Sequence, residues 1–153
     1  DGIRDLGRWS RGLGDVYKRQ IVDSGEIPGI LAYHESRAVG WCAVAPRASY
    51  SALARSRILK PVDDQPCWSI ACLFIERSCR KRGVATQLLQ AAVAYARSQG
   101  ATLLEGYPVE PQSDQDIPAA FAWTGIPKAF LRAGFKEVAR RSPTRPIMRL
   151  AIL

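Results

Sequence analysis

The pattern of hydrophobic and polar positions divides the chain into strands towards both ends and one long amphipathic helix between them. Two apolar stretches, residues 29–34 and 38–45, flank a polar Glu-Ser-Arg tripeptide, which is typical of a β-hairpin. The second stretch is apolar on both faces, so we expect an interior strand. Residues 46–66 are rich in turn-forming types, and one short helix is expected around residues 50–55.

A strand, loop, helix and strand unit is predicted in the middle of the chain. Residues 68–75 are rich in the β-favouring types Trp, Ile and Phe and predict a buried strand. Apolar residues recur at helical spacing from Val84 to Ala96, and Gly100 is placed to end this helix. Residues 102–107 predict the next strand. The two strands should be parallel, because a helix crosses over between them.

The last third of the chain predicts a long loop, a shorter helix and two final strands. The loop covers residues 108–125, and Gly134 is placed to end the helix that follows. Residues 135–141 and 146–153 then predict two strands around a Ser-Pro-Thr turn. We find no internal repeat and no domain boundary after residue 20. The expected fold is therefore a mixed α/β layer structure, with a mainly antiparallel sheet, one parallel pair and flanking helices.

The first twenty residues are set apart from this fold prediction. The chain does not begin with methionine, and its single methionine is Met148. Residues 15–20 resemble the translation of a transposon end that is ligated to DNA during sequencing-library preparation, a scar seen in metagenomic sequences. We therefore expect residues 1–20 to be non-native and residues 21–153 to form the single domain. An ordinary polar amphipathic segment is the alternative.

Composition agrees with one globular domain. The chain has 153 residues, of which 47% are hydrophobic and 24% charged, which argues against a disordered, collagen-like or coiled-coil protein. Its apolar runs are too short to cross a bilayer, so no membrane partner is expected. The four cysteines contain no Cys-x-x-Cys pair, so we expect them to be reduced in a cytoplasmic protein, without a metal site.

The segment that carries chemistry is residues 75–86, which joins the buried strand to the main helix. The first amides of a helix have no intrahelical acceptor and lie at the positive end of its dipole, so they can surround a pyrophosphate. Gly83 lets the backbone come close, and small Ala85 leaves room for the anion. The net charge of +8 also favours a phosphate-bearing partner. Compensating charge would come from Arg77, Arg80, Lys81 and Arg82.

The spacing Arg80-Lys81-Arg82-Gly83-Val84-Ala85 resembles the Arg/Gln-x-x-Gly-x-Gly/Ala motif of the GNAT superfamily of N-acetyltransferases. The strand before the motif, the helix and strand after it and the late helix all follow the family's order. Residues 21–153 resemble in particular an uncharacterised bacterial branch of this superfamily, through the segments 40–47, 105–108 and 121–125.

The resemblance implies an acetyl-CoA site, with acetyl-CoA as co-substrate. The resemblance also implies that the two parallel strands splay, and the pantetheine arm would pair there with the strand at Leu73, Phe74 and Ile75. An amide near Phe74 would polarise the thioester carbonyl. The acceptor amine, on a small molecule or a protein, would attack directly within a ternary complex. The amides on the pyrophosphate would be those of Arg80, Lys81, Arg82, Gly83, Val84, Ala85 and Thr86.

The catalytic acid and base do not follow the family pattern. Many members place a tyrosine four residues before the glycine that ends the late helix, as the acid for the leaving thiolate, but this chain has Phe130 there. On the strand that lines the other side of the splay, Glu105 is the predicted base and Tyr107, which faces the same way, the predicted acid. The alternatives are a structural ion pair for Glu105 and a core position for Tyr107.

Acidic side chains in the two long loops would suit a cationic acceptor, with solvated loop acids as the alternative. These are Asp63, Asp64, Glu110, Asp114 and Asp116.

Two other functions stay open at this point. The chain could be a basic module that binds nucleic acid or another anion without catalysis, but its basic loop lacks interleaved aromatics, and no helix-turn-helix or zinc-finger spacing is present. It could also be an acetyltransferase that truncation has inactivated, since the family begins with a strand and one or two helices before the hairpin. The oligomeric state is open, with a homodimer among the alternatives.

Overall fold

The computed structural model describes residues 3–5, 29–110 and 127–152, and within them the chain forms one mixed β-sheet with helices against it. The strand order across the sheet is β1-β2-β3-β4-β5-β7-β6. Only β4 and β5 run parallel among these neighbours. The strands are β1 (Ile3–Asp5), β2 (Gly29–His34), β3 (Arg37–Pro46), β4 (Trp68–Ile75), β5 (Leu103–Gly106), β6 (Lys136–Arg140) and β7 (Pro146–Ala151).

Three α-helices lie in the described residues, where the sequence predicts them. They are α1 (Ser51–Arg55), α2 (Val84–Ser98) and α3 (Pro127–Arg132). The mixed fold, the hairpin and the parallel pair joined by α2 are thus confirmed. Predictions for residues 6–28 and 111–126, including Asp114 and Asp116, lie outside the described residues.

Strand β1 lies inside the segment that we set aside on sequence grounds. Its three residues pair antiparallel with β2, with Ile3 opposite Ala32 and Asp5 opposite Ile30. The assignment of residues 1–20 to a non-native segment stays a prediction.

One face of the sheet packs against α2 and α3. The apolar stripe of α2, including Leu88 and Leu89, is buried against strand residues such as Ile70 and Leu104. Phe130 of α3 is fully buried and stands edge-on to Phe135, with ring centroids 5.1 Å apart. A core role therefore explains a phenylalanine at position 130, because a phenol there would need a buried partner.

The opposite face of β5 and β7 is covered by the segment between β3 and β4. In this segment Leu53 and Leu59 are buried together with Tyr107 and Ile147. The long segment that the sequence predicts as turn-rich is therefore a packed cover over the sheet.

Strands β4 and β5 separate after a short paired stretch. Their register runs from Trp68 opposite Leu104 to Ile70 opposite Gly106, where β5 ends. Strand β4 continues to Ile75 with only β3 as its neighbour. This confirms the predicted splay, and no strand in the described part of the chain pairs with the β5-facing backbone edge of residues 71–75.

Candidate active site

The loop after β4 leads into α2, and the first backbone amides of this helix are not capped by a side chain. Lys81 and Gly83 have positive φ values of 62° and 79°, and Gly83 caps the helix without a side-chain hydrogen bond. The Gln87 amide makes the first backbone bond of the helix, to the Gly83 carbonyl at 3.1 Å. The three preceding helical amides therefore have no intrahelical acceptor, and the first turn holds no acidic residue.

Gly83 suits this place for a steric and a conformational reason. A Cβ built on Gly83 would meet no atom within 4 Å, so the space in front of the backbone is open. Its left-handed conformation is one that other residues adopt only with strain. The predicted anion-binding loop thus has both the backbone path and the free space that an anion needs.

The basic side chains of the loop divide into two groups. Arg77, Lys81 and Arg82 are exposed. Arg80 instead turns back, because its Nε donates to the Ile75 carbonyl at 3.0 Å and its guanidinium lies 5.9 Å from the centroid of the Phe74 ring. The Arg80 amide donates to the Arg77 carbonyl at 3.3 Å. Arg80 therefore ties the loop to the end of β4, while the other three cations face solvent.

The predicted pantetheine residues lie on the unpaired part of β4. The side chains of Leu73 and Ile75 are buried in the core beneath α2, and Phe74 points to the opposite face, where it packs with Trp41. Their side chains are thus occupied by packing. What the strand offers a ligand here is its backbone edge.

Glu105 is fully buried, and both of its carboxylate oxygens are hydrogen bonded. Arg47 Nη1 donates to Oε1 at 2.9 Å, and Arg149 Nε donates to Oε2 at 2.7 Å. The Tyr107 hydroxyl donates to Oε1 at 2.7 Å. The structure therefore gives Glu105 the ion pairing that the sequence left as an alternative, with two arginines.

The Tyr107 hydroxyl is also saturated. It accepts from Arg47 Nη1 at 2.6 Å and lies 2.7 Å from Ser69 Oγ. Because its one proton goes to Glu105, Ser69 is the donor in the second contact. Burial and the adjacent Glu105 raise the pKa of Tyr107 well above its ordinary value, so the phenol is neutral.

Strand register explains why these groups meet. Ser69 on β4 is opposite Glu105 on β5, which is opposite Arg149 on β7. One row of side chains thus crosses three strands on the face covered by the β3–β4 segment. Sequence reasoning missed Arg47 and Arg149. An opposite-charge cross-strand pair was the signal for Arg149, but it becomes visible only once the register of β5 on β7 is known.

The same arginines hold the covering segment down. Arg149 donates to both carboxylate oxygens of Asp63, at 2.7 and 3.1 Å, which keeps the pKa of Asp63 below its usual range. Arg47 Nη2 donates to the carbonyls of Leu53 and Leu59, at 3.2 and 2.7 Å. The two arginines that pair with Glu105 therefore also bind the segment formed by residues 47–63 and hold it against the sheet.

None of the four cysteines, all of which lie in the described residues, forms a disulfide. Burial raises the pKa of Cys42 far above its ordinary value. In the part of the chain that the structure describes, no three His, Cys, Asp or Glu side chains group as metal ligands. No described helix is long and apolar enough to span a membrane.

Comparison with known proteins identifies the family. The sequence model of the acetyltransferase (GNAT) family matches residues 4–117. The chain therefore belongs to this family, as the loop motif and the order of elements predict. No curated protein matches the sequence.

Solved structures share the fold at low sequence identity. A protein from Desulfovibrio desulfuricans assigned to the GNAT family superposes with a TM-score of 0.62 at 14% identity, with 99% of each chain covered. Ard1 from Thermoplasma volcanium gives 0.60 at 13% identity, covering 99% of this chain and 97% of that one. A chain from the NatC complex bound to Gag peptide and CoA gives 0.64 at 11% identity, with 99% and 98% covered. At these identities the likeness shows the fold alone.

Proposed function

We propose that the protein transfers the acetyl group of acetyl-CoA to the nitrogen of an amine. The observation that carries this proposal is that β4 loses its parallel neighbour after Ile70 and then leads into the uncapped start of α2. An extended thiol arm needs a free strand edge, and a pyrophosphate needs free amides. The two needs are met one after the other along 16 residues, from Ala71 to Thr86. The NatC chain of the same fold comes from a CoA-bound complex, which supports the same ligand.

The reaction needs little beyond positioning and one polarising donor. The neutral amine nitrogen attacks the thioester carbonyl carbon, and a backbone amide near Phe74 donates to the developing oxyanion. The carbon–sulfur bond then breaks, the thiolate leaves with its electron pair, and the proton lost by the attacking nitrogen neutralises it directly or through solvent. Holding the amine against the thioester supplies most of the rate.

Glu105 and Tyr107 support this reaction best as positioning residues. A general base must reach the amine proton directly or through one water, whereas Glu105 is fully buried and held by two guanidinium groups. Tyr107 donates its proton to Glu105. Both therefore hold the row of side chains at the point where β4 and β5 part. Their roles as base and acid stay predictions, which the next experiment separates from positioning.

Glu105→Gln is expected to leave the shape of the pH dependence of kcat/KM unchanged, with a decrease of about tenfold or less at every pH. The amide keeps the size of the side chain but weakens the contacts with Arg47 and Arg149. Loss of the acidic limb of the profile, with a fall of about a hundredfold or more at neutral pH, would instead assign the base to Glu105. The measurement is a steady-state profile on any amine that the wild-type protein acetylates.

Gly83→Glu is expected to weaken acetyl-CoA binding about ten- to a hundredfold, measured by titration calorimetry. The new carboxylate would stand where the pyrophosphate is proposed, and it would also strain a left-handed position. Gly100→Glu is the matched control. Gly100 also has a positive φ, of 87°, with no atom within 4 Å of a built Cβ, but it lies at the other end of α2.

The control is expected to bind acetyl-CoA like the wild-type protein. Equal binding by both variants, or no binding of acetyl-CoA by a folded wild-type chain, contradicts the proposal. In the second case, nucleic-acid affinity that falls steeply with salt would establish the binding-module alternative. Weaker binding of dephospho-CoA than of CoA would show that the 3′-phosphate contributes to binding, and the exposed cations Lys81 and Arg82 are its candidate partners.

A further inference from the structure

Two of the three predicted loop acids that the structure describes are already paired with arginines. Asp63 forms an ion pair with Arg149, and Glu110 forms one with Arg140. Both arginines belong to the β6–β7 hairpin. The attraction of a cationic acceptor stays a prediction for the third, Asp64, which is exposed.

One nearby cation has no such partner among the described residues. Arg145 lies in the turn directly before β7, and β7 carries Arg149 and Ile147, which packs with Tyr107 on the face that carries Glu105. Arg149 is matched by two carboxylates. Arg145 is half-buried and forms no ion pair with any residue that the structure describes.

The hydrogen bonds of Arg145 leave part of its guanidinium unused. Nη2 donates to the Tyr107 carbonyl at 3.2 Å, and Nε is buried without an acceptor in the described part of the chain. Burial lowers the pKa of Arg145 from its ordinary value, with no opposing contribution from a nearby carboxylate. A desolvated cation of this kind is stabilised by any anion that can form a two-pronged pair with it.

The position of Arg145 relates this unmatched charge to the proposed reaction. Gly106, the last residue of β5, pairs with Met148 on one side and with Ile70 on the other, at the point where β4 and β5 separate. Tyr107 comes next along the chain, and its carbonyl accepts from Arg145. The guanidinium therefore lies against the backbone of the residue that directly follows β5, at the end of the strand where the splay opens.

We propose that Arg145 binds a carboxylate of the acceptor, so that the substrate is a small amine that also carries a carboxylate, as an amino acid does. The inference rests on the proposed acetyl transfer and narrows its substrate class. Arg145 would hold the carboxylate while the neutral amine nitrogen of the same molecule attacks. It is a specificity-determining residue and takes no part in proton transfer.

The test compares acceptors that differ only in the carboxylate. The twenty common L-amino acids and their carboxamides serve as probes, with acetyl-CoA-dependent release of CoA thiol as the readout. The proteins are wild type, Arg145→Gln, Arg145→Lys and, as a control of equal charge loss, Arg97→Gln. Arg97 is exposed near the far end of α2. Thermal melting and acetyl-CoA calorimetry of each protein confirm that it is folded and binds the co-substrate.

We expect wild-type kcat/KM for the best amino acid to exceed that for its carboxamide by about tenfold or more. Arg145→Gln should bring this ratio close to one, because it lowers kcat/KM for the amino acid about ten- to a hundredfold and changes kcat/KM for the carboxamide little. Arg145→Lys should retain part of the ratio, because it keeps the charge without the planar fork. Arg97→Gln should leave the ratio unchanged.

Three results overturn the inference. One is an equal effect of Arg145→Gln on both members of a pair, and another is a wild-type preference for the carboxamide. The third is a protein that binds acetyl-CoA in the calorimeter but acetylates no amino acid. In all three the proposed transferase function survives. Absence of acetyl-CoA binding would instead refute that function, so the two failures are distinct.

Discussion

Glu105→Leu is expected to lower the free energy of unfolding by about 3–5 kcal/mol, the range found when one partner of a buried ion pair is removed. Glu105 is fully buried, and the side chains of Arg47 and Arg149 are only 14% and 10% exposed. The substitution leaves both guanidinium groups without their shared carboxylate. It also removes the acceptor for the Tyr107 proton. Urea denaturation of the wild-type and variant proteins measures the difference.

Two variants separate the buried charge from the rest of the network. Glu105→Gln keeps an oxygen acceptor and should lose less stability than Glu105→Leu. Asp63→Asn removes the exposed carboxylate paired with Arg149, and a much smaller loss is expected because exposed ion pairs are weak. If Glu105→Leu unfolds at the same urea concentration as wild type, the ion pairs do not hold the β3–β4 segment to the sheet.

Gly106→Val is expected to lower the free energy of unfolding by about 3 kcal/mol, the upper part of the range for overpacked cores. A Cβ built on Gly106 would lie 2.1 Å from Cε1 of Phe130. Phe130 cannot retreat freely, because its ring is fully buried against Phe135. Since Gly106 is also the last residue of β5 beside the splay, its substitution would move the strand that carries Glu105.

A double-mutant cycle checks that the loss comes from this one contact. Phe130→Leu alone should destabilise the protein by leaving a cavity. The double variant should lose less stability than the sum of the two single losses, because the smaller side chain at position 130 makes room for the valine at position 106. Additive losses would contradict the steric explanation. Thermal or urea denaturation of the four proteins gives the coupling energy.

The elements were predictable because their signals are local. The apolar runs that form β2 and β3, and the polar tripeptide between them, predict a hairpin without knowledge of the rest of the chain. The stripe from Val84 to Ala96 and the glycine at position 100 define α2 in the same way. The motif from Arg80 to Ala85 is also local, since a turn and the first amides of a helix are built from adjacent residues.

The hydrogen-bond partners of the predicted base and acid could not be predicted from local sequence signals. Glu105 and Tyr107 are two positions apart and face the same side, which alternation along a strand predicts. Their partners come from β4, from β7 and from the turn directly after β3, where Arg47 is 58 residues away from Glu105 in sequence. Only the sheet order and register decide that Ser69, Glu105 and Arg149 form one row.

Arg145 and Arg149 also differ in a way that only the tertiary structure shows. In the sequence they are two arginines four residues apart, and no local pattern distinguishes one from the other. In the structure Arg149 is matched by Glu105 and Asp63, while Arg145 has no carboxylate among the described residues. The difference is a tertiary one, because it depends on which strand and which loop lie opposite each side chain.

By itself, then, the sequence determined the elements and the parallel pair, since these depend on periodicity and on neighbours along the chain. The splay followed from the resemblance to the family, and anion binding at the turn before α2 stays a prediction. Tertiary structure alone decided that the carboxylate proposed as a base lies buried between two arginines and that one arginine beside the splay has no counter-charge among the described residues. Such facts depend on groups far apart in sequence, and their electrostatic consequences follow from the burial that packing imposes.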